Sequence, residues 1–181
     1  MKRALVAGMA LLALAAPLAY ATTLRDRDDV TTVLDIAKTA GAHNRASDQL
    51  VHTIDFYEAI PGKLATPGSV CIEIWTRSTP AESPADYEAC ASKNKSDDWR
   101  GSIARKRERG ARLRVGAVKV EQPTDTRLVL RIDPDLIKRP SSYRWRSEAT
   151  DWGSDCKAAN GCPDYAPDRP GTAKTALSTP R

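Results

Sequence analysis

Residues 127–133 decide the fold class through their alternation of polar and apolar side chains: Arg127-Leu128-Val129-Leu130-Arg131-Ile132-Asp133. In an extended strand, successive side chains point to opposite faces, so Leu128, Leu130 and Ile132 would share one face. Arg127 and Arg131 would lie on the other face. A period of two with one apolar face predicts a β-strand that covers a hydrophobic core.

Strand patterns of the same kind recur on both sides of this segment. Leu50, His52, Ile54 and Phe56 would share one face of a second strand. Further predicted strands, bounded by Pro, Gly, Asn, Asp and Ser, lie at 32–38, 70–76, 86–92, 99–107, 113–121 and 143–149. Residues 134–138 predict a single helical turn. About eight strands without helical periodicity predict an all-β fold, an antiparallel β-sandwich or jelly roll, with a closed barrel as the alternative.

The N-terminal residues have the composition of a signal peptide. A basic start, Met1-Lys2-Arg3, precedes an apolar run from Ala4 to Ala16 and a small-x-small site at Ala19-Tyr20-Ala21. The run is shorter than the ~20 apolar residues that cross a bilayer, so no transmembrane segment is expected. We expect residues 1–21 to be removed and the protein to be secreted or held in the periplasm or cell envelope of a bacterium.

Cleavage after Ala21 changes what the overall composition implies. The full chain has 181 residues, with 28 Lys and Arg against 23 Asp and Glu, and a net charge of +5. Cleavage leaves 160 residues and, by removing Lys2 and Arg3, a net charge of +3. A chain of this length supports one core, so residues 22–169 predict a single domain. The small and polar residues 170–181 predict a flexible tail.

The cysteines predict a disulfide framework, because an exported chain with an even cysteine count forms disulfides more readily than zinc sites. Four cysteines allow three pairings. We favour Cys71–Cys90, which would join neighbouring strands, and Cys156–Cys162, which would close a short loop. Neither pair has the C-x-x-C spacing of a zinc site.

Basic side chains are concentrated in the predicted hairpin at residues 100–114. Seven basic residues accompany a single acid, Glu108, for a local charge of +6, whereas the rest of the predicted mature chain sums to −3. Such a hairpin can bind an anionic polymer, a saccharide surface or phospholipid headgroups. The candidate anion-binding residues are Arg105, Arg107, Arg109 and Arg112. Alternatively, the arginines protect an exposed sheet edge from aggregation. Nucleic acid is not expected, because no aromatic residues are interleaved.

Acidic residues gather near both ends of the predicted domain. Because the termini of a sandwich often lie close together, the two groups could meet and supply the oxygen ligands that Ca²⁺ takes. The candidate metal ligands are Asp26, Asp28, Asp29, Asp164 and Asp168. The spacing matches no EF-hand loop. A structural or adaptor domain with bound calcium is therefore one hypothesis, and solvated turn carboxylates are the alternative. No other cofactor is expected.

Catalytic motifs are absent from the sequence, which holds no G-x-S-x-G, H-E-x-x-H or P-loop pattern. His52 lies on an apolar strand face, which is typical of a packed histidine rather than a base. The sequence therefore predicts a non-catalytic binding module. An enzyme that uses loop carboxylates on a polysaccharide is the other alternative.

Short motifs at both ends resemble a family of small secreted actinobacterial proteins of unknown function. The opening Asp29-Val30-x-x-x-Leu34-Asp35-Ile36 is similar to their D-x-x-x-x-L-D-I start, and Cys162-Pro163-Asp164-Tyr165-Ala166-Pro167-Asp168 is similar to a late signature. Tyr143-Arg144-Trp145 and a close Cys pair also match. The resemblance implies a β-sandwich without a known activity and transfers no catalytic residues. This chain departs from the family at Thr31-Thr32-Val33 and by its additional Cys71 and Cys90.

Overall fold

The computed structural model describes residues 19–61, 68–80, 82–93, 98–107, 110–151 and 162–177. These residues form eleven strands: β1 Ala19–Arg25, β2 Ile36–Asn44, β3 Gln49–Phe56, β4 Gly68–Trp75, β5 Tyr87–Lys93, β6 Trp99–Lys106, β7 Arg112–Thr124, β8 Arg127–Ile132, β9 Ser142–Asp151, β10 Cys162–Ala166 and β11 Ala173–Ala176. A short 3₁₀ helix, Pro134–Ile137, follows β8 where the sequence predicts one turn. It is capped by Asp133, whose carboxylate accepts the Asp135 N–H at 2.9 Å.

All described strands belong to one antiparallel sheet with the order β1-β2-β3-β8-β7-β6-β5-β4-β9-β10, and β11 also pairs with β9. The all-β antiparallel prediction is confirmed. The prediction of a sandwich of about eight strands is wrong, because the strands curl into a nearly closed, barrel-like sheet around one core. Strand alternation is the same in both architectures, and only long-range pairing separates them.

The interior is filled by the faces that the alternation predicts. Leu50, Ile54, Leu128, Leu130 and Ile132 are all fully buried. Opposite them, the inward residues of β4, β5 and β9 complete the core: Val70, Ile72, Ile74, Tyr87, Ala89, Ala91, Tyr143, Trp145 and Ala149. The strand predictions around β3, β4, β8 and β9 are therefore confirmed at the level of which face is buried.

The first and last strands meet along what we call the seam, where side chains rather than a backbone ladder make the connection. Thr39 Oγ1 lies 2.6 Å from Ser147 Oγ, and Thr175 Oγ1 donates to the carbonyl of Gly41 at 3.3 Å. The Thr22 hydroxyl donates to the Lys174 carbonyl at 2.6 Å. The seam therefore depends on small polar residues that approach closely.

Gly41 is required for this close approach, because a Cβ there would lie 2.7 Å from Cε2 of Trp145. We expect Gly41→Ala to lower the free energy of unfolding by about 1–3 kcal/mol, as overpacked cores do. Urea unfolding followed by tryptophan fluorescence would measure the loss. Trp145→Phe in the same chain should recover part of it, and a Gly41→Ala protein of unchanged stability would contradict this packing.

Three sequence predictions need correction near the chain ends. The first strand, predicted at 32–38, begins only at Ile36 and runs through Gly41, because residues 26–35 form an irregular connection. The loop predicted after Asp151 includes β10, and the flexible tail predicted at 170–181 includes β11. Alternate residues of β11, Ala173 and Thr175, are buried against the seam, which orders the strand. Residues 178–181 lie outside the described part of the chain.

The disulfide prediction is confirmed for Cys71 and Cys90, which face each other across β4 and β5 with Cα atoms 4.0 Å apart. Cys162 is also disulfide-bonded. Its predicted partner Cys156 lies outside the described residues. Among the described residues, no helix is long and apolar enough to span a membrane.

The predicted signal peptide lies largely outside the described residues, which begin at Ala19. Cleavage after Ala21 would remove the pairing of Ala19 with His43 and retain the four pairs from Thr22 to Arg25. The Cys71–Cys90 disulfide is compatible with an extracellular protein. Export itself stays a prediction.

Candidate metal centre

The connection between β1 and β2, residues 26–35, is held against the sheet by backbone hydrogen bonds. The Asp26 N–H donates to the Ala37 carbonyl at 3.0 Å, and the Tyr57 N–H donates to the Asp35 carbonyl at 3.1 Å. The Tyr57 hydroxyl donates to the Asp26 carbonyl at 2.8 Å. These contacts fix an aspartate-rich segment at the end of the sheet where β2 begins.

Strand β10 brings a further aspartate to this segment. Asp164 points inward from β10, and its Oδ2 accepts the Ile36 N–H at 2.5 Å. One carboxylate oxygen from each of Asp29, Asp35 and Asp164 lies within 4.8 Å of the others. Asp35 and Asp164 are each only 3% exposed, whereas Asp29 is open to solvent. Residues from the two ends of the domain therefore converge on one point.

We call the surrounding group the seam cluster; its members are Asp26, Asp28, Asp29, Asp35, Asp164 and Asp168. No ion pair between described residues includes any of these carboxylates. Buried oxygens Oδ1 of Asp35 and Oδ2 of Asp26 have no hydrogen-bond partner among the described residues. A buried carboxylate without a partner is energetically costly, and the described residues supply no cation that forms an ion pair with this cluster.

The pKa values of three carboxyl groups in the cluster are raised, as expected for carboxylates without a neighbouring cation among the described residues. Burial, together with the charges of Asp26 and Asp35, raises the pKa of Asp164 to about 7, although the hydrogen bond from the Ile36 N–H acts in the opposite direction. Burial also raises the pKa of Asp35 to about 6, with additional repulsion from Asp28. The pKa of Asp26 is raised by burial and by nearby carboxylates that include Asp168. Each of these raised pKa values means that the ionised form of the carboxyl group is disfavoured in the folded protein.

The predicted ligand residues are thus near one another, but the sequence misses one member of the closest group. Asp29 and Asp164 were predicted, and Asp26, Asp28 and Asp168 contribute to the local field. Asp35 lies in the strand predicted at 32–38 and is not among the predicted metal ligands. In a regular strand Asp35 would point to the face opposite to that of Leu34 and Ile36, yet all three side chains are buried, which shows that the backbone is irregular here.

A second group of carboxylates lies on the outer face of the sheet but has its own cations. Oxygens of Glu73, Glu88 and Glu148 lie within 4.8 Å of one another. Lys106 Nζ lies 3.2 Å from Glu73 and 3.1 Å from Glu88, and Arg112 Nη1 lies 2.9 Å from Glu88. Three cations, including Arg146 on Glu73, therefore balance three acids. This group has the composition of a structural ion-pair network.

A cleft of about 440 Å³ opens beside this network, between Trp75, Pro84, Arg146, Arg169 and Pro170. Glu73 at its wall is held by Arg146 and Lys106, so its carboxylate is already engaged. Burial alone would raise the pKa of Glu73, but these two cations lower it overall. The cleft lining also includes Glu82, so it holds two acidic residues, of which Glu73 is engaged by cations.

The predicted basic hairpin is formed by β6 and β7, and its candidate arginines do not share one face. Arg105 pairs with Leu113 and has the same parity as the buried Ile103, whereas Arg112 pairs with Lys106 on the opposite face. Arg107 follows β6, and its N–H donates to the Ala111 carbonyl at 2.8 Å. Arg109 lies outside the described residues.

Strand registers place the hairpin tip and the seam cluster at opposite ends of the sheet. Strand β2 runs from the cluster to the β2–β3 turn, and β3 runs back beside it. Leu50 on β3 pairs with Ile132 at the end of β8, and Arg131 on β8 pairs with Lys119 on β7. The end of β8 and the start of β7 therefore lie at the same end of the sheet as the β2–β3 turn. One end is therefore acidic, and the other carries the exposed arginines.

The fold and the cluster together define an antiparallel, barrel-like β protein with an uncompensated carboxylate site at its seam. Searches against protein-family models, curated proteins and solved structures found no match to the chain. The resemblance to secreted actinobacterial proteins stays a prediction. Several of the residues that carry it, including Asp29, Asp35 and Asp164, are members of the seam cluster.

Proposed function

We propose that the protein is an exported, non-catalytic calcium-binding protein in which Ca²⁺ binds Asp29, Asp35 and Asp164 at the seam. The observation that carries this proposal is the buried Asp35 oxygen without a partner, beside two further carboxylates within 4.8 Å. Calcium binds oxygens at about 2.3–2.6 Å, so ligands on opposite sides of the ion stand up to about 5 Å apart. The oxygen spacing fits that range.

The donor set favours calcium over transition metals. All three closest ligands are carboxylates, and hard oxygen ligands suit Ca²⁺ rather than Zn²⁺ or Cu²⁺. The histidines lie elsewhere: His43 Nε2 contacts Asp48 Oδ1 at 2.9 Å, and His52 is in the core. Magnesium requires near-ideal octahedral geometry at shorter distances, whereas calcium accepts the irregular arrangement of oxygens that an unrelated set of carboxylates supplies.

Bound calcium would fasten the N-terminal connection to the C-terminal strands. Asp29 and Asp35 belong to residues 26–35, whereas Asp164 belongs to β10, and no backbone ladder joins β1 or β2 to β10. An ion shared by these carboxylates would close the seam. Extracellular calcium is abundant, so a weak site of this kind suits a protein that becomes fully stable only after export.

Calcium added to chelator-stripped protein should raise its melting temperature. Binding only to the folded state stabilises it by about 2.7 kcal/mol at a ligand concentration of 100 times Kd. For a domain of this size, that corresponds to a rise of roughly 5–10 °C. Differential scanning fluorimetry with and without CaCl₂, at constant ionic strength, measures the shift, and MgCl₂ should give a smaller one.

The matched variants are Asp35→Asn/Asp164→Asn and Glu148→Gln. The first removes two proposed ligands and the repulsion between them, so it should fold without calcium and lose the calcium-dependent shift. Glu148 belongs to the charge-balanced outer group, so its variant should keep the shift. A wild-type melting temperature that calcium leaves unchanged, or an equal shift in Asp35→Asn/Asp164→Asn, would refute the proposed site.

A further inference from the structure

The tip of the β6–β7 hairpin extends past the neighbouring strand. The last contact of β6 with the β5 side is the Lys106 N–H, which donates to the Asp86 carbonyl at 2.9 Å. Beyond it, the described hairpin residues pair only with each other, and the Arg107–Ala111 hydrogen bond closes the tip. The hairpin therefore presents its end to solvent at the end of the sheet opposite to the seam cluster.

Two kinds of arginine occupy this hairpin. Arg112 Nη1 lies 2.9 Å from Glu88 Oε2, so the charge of Arg112 is compensated by an ion pair within the protein. Arg105, Arg107 and Arg114 are exposed, and none of them forms an ion pair with a described residue. This end of the hairpin, which comprises Arg107 in the tip and Arg105 and Arg114 in the adjoining strands, consequently carries several positive charges without counter-ions from the described residues. Such a group attracts an external anion.

An exposed leucine lies among these arginines. Leu113 is 44% exposed, and among the described residues only Tyr57 is an equally exposed large apolar side chain. Leu113 lies directly opposite Arg105 in the hairpin register. Tyr57 is engaged through its hydroxyl at the other end of the sheet.

We propose that one face of this end of the hairpin is a membrane-docking surface that binds anionic lipid headgroups through Arg105 and Arg107 and inserts Leu113, which lies on the same face as Arg105, into the interface. Headgroup phosphates accept charge-assisted hydrogen bonds from arginine. An apolar side chain beside basic residues fits the boundary between headgroups and acyl chains. A soluble anionic polymer would use the arginines but offer nothing to Leu113, so the mixed chemistry favours a lipid surface.

The test is co-sedimentation of the full mature protein with phosphatidylcholine vesicles that contain either no phosphatidylglycerol or one third of it. The wild type should bind the anionic vesicles and be released by high salt. A basic residue near an anionic surface contributes about fivefold to partitioning, so Arg105→Gln/Arg107→Gln should bind roughly 25-fold more weakly. Leu113→Ser should also weaken binding, by a factor that persists as salt is raised.

The control is Lys38→Gln/Arg100→Gln, which removes the same charge from exposed residues without ion pairs to described residues, outside the hairpin tip. It should bind like the wild type. Equal loss in both double variants would mean that net charge alone drives binding and would overturn the proposal. Retention on heparin without binding to anionic vesicles, or full binding by Leu113→Ser, would overturn it as well. None of these outcomes depends on the calcium site.

Discussion

Replacing Arg146 with methionine should lower the free energy of unfolding by about 3–5 kcal/mol, the range for breaking a buried ion pair by removing one partner. Arg146 is 5% exposed and Glu73 is 6% exposed. The Arg146 Nε donates to Glu73 Oε2 at 3.1 Å, and a second guanidinium nitrogen reaches the same oxygen. Without Arg146, Glu73 keeps only Lys106 as a cation. Chemical denaturation at neutral pH would measure the loss.

Two further variants distinguish the loss of the ion pair from a loss of packing. Glu73→Gln/Arg146→Met removes both charges and should recover much of the stability, because an apolar replacement of a buried pair is often close to neutral. Arg127→Met breaks the pair with Asp55 at 2.5 Å, whose side chains are 45% and 20% exposed, and should cost less than about 1 kcal/mol. Similar losses for Arg146→Met and Arg127→Met would show that burial does not govern this network.

Much of Arg146's environment could not be predicted from the sequence. Alternation predicted that Arg144 and Arg146 lie opposite Tyr143 and Trp145, which the structure confirms. An outward-facing arginine is ordinarily expected to reach solvent. Here the outer face is covered, and the Arg146 guanidinium lies 5.3 Å from the Trp75 ring centroid. The cover comes from distant segments, which strand periodicity does not specify.

Strands with strong alternation were predicted, and strands made of small residues were missed. Strand β8 has a leucine-rich face that must be buried, so its sequence alone identifies it. Strands β10 and β11 read Cys-Pro-Asp-Tyr-Ala and Ala-Lys-Thr-Ala. Their inward positions need little volume, because Trp145 on β9 already fills the space beneath the seam. Small and polar residues are therefore suitable there, although the same composition is typical of a loop.

The seam cluster was partly predicted because aspartates are concentrated near both ends of the predicted domain. Their meeting depended on the termini being neighbours, which holds for a barrel-like sheet as well as for the predicted sandwich. Asp35 could be found only from the irregular backbone around it, since Leu34, Asp35 and Ile36 are consecutive and all buried. A strict two-residue period cannot bury three neighbours on one side. This departure from strand alternation therefore coincides with the proposed metal site.

The core contains one titratable group whose environment favours only its neutral form. His52 is fully buried, and its Nε2 lies 2.9 Å from the Tyr143 hydroxyl. Its Nδ1 has no hydrogen-bond partner among the described residues. The Trp145 ring lies edge-on, with centroids 4.9 Å apart. Protonation would add an N–H without an acceptor and a charge without a counter-ion.

Acid should therefore destabilise the protein through His52. Burial lowers the pKa of His52 from 6.5 to about 3. The unfolded chain takes up a proton below pH 6.5 while the folded chain does not, so stability falls by about 1.4 kcal/mol per pH unit below 6.5. The loss should reach about 2–3 kcal/mol by pH 4.5 and continue until His52 is protonated in the folded state. Urea unfolding of the wild type and of a His52 variant across this pH range would measure this contribution of His52.

The matched variant His52→Gln isolates this effect, because the seam carboxylates titrate in the same range with the opposite sign. The raised pKa values of Asp35 and Asp164 mean that their protonation relieves repulsion, so stability rises as the pH falls toward 4. Glutamine can keep a hydrogen bond to Tyr143 and does not titrate. The difference in unfolding free energy between wild type and His52→Gln cancels the carboxylates and leaves the histidine. Relative to His52→Gln, the wild type should lose about 1.4 kcal/mol of unfolding free energy per pH unit below 6.5. A difference that does not change with pH would show that His52 ionises as readily in the core as in the unfolded chain.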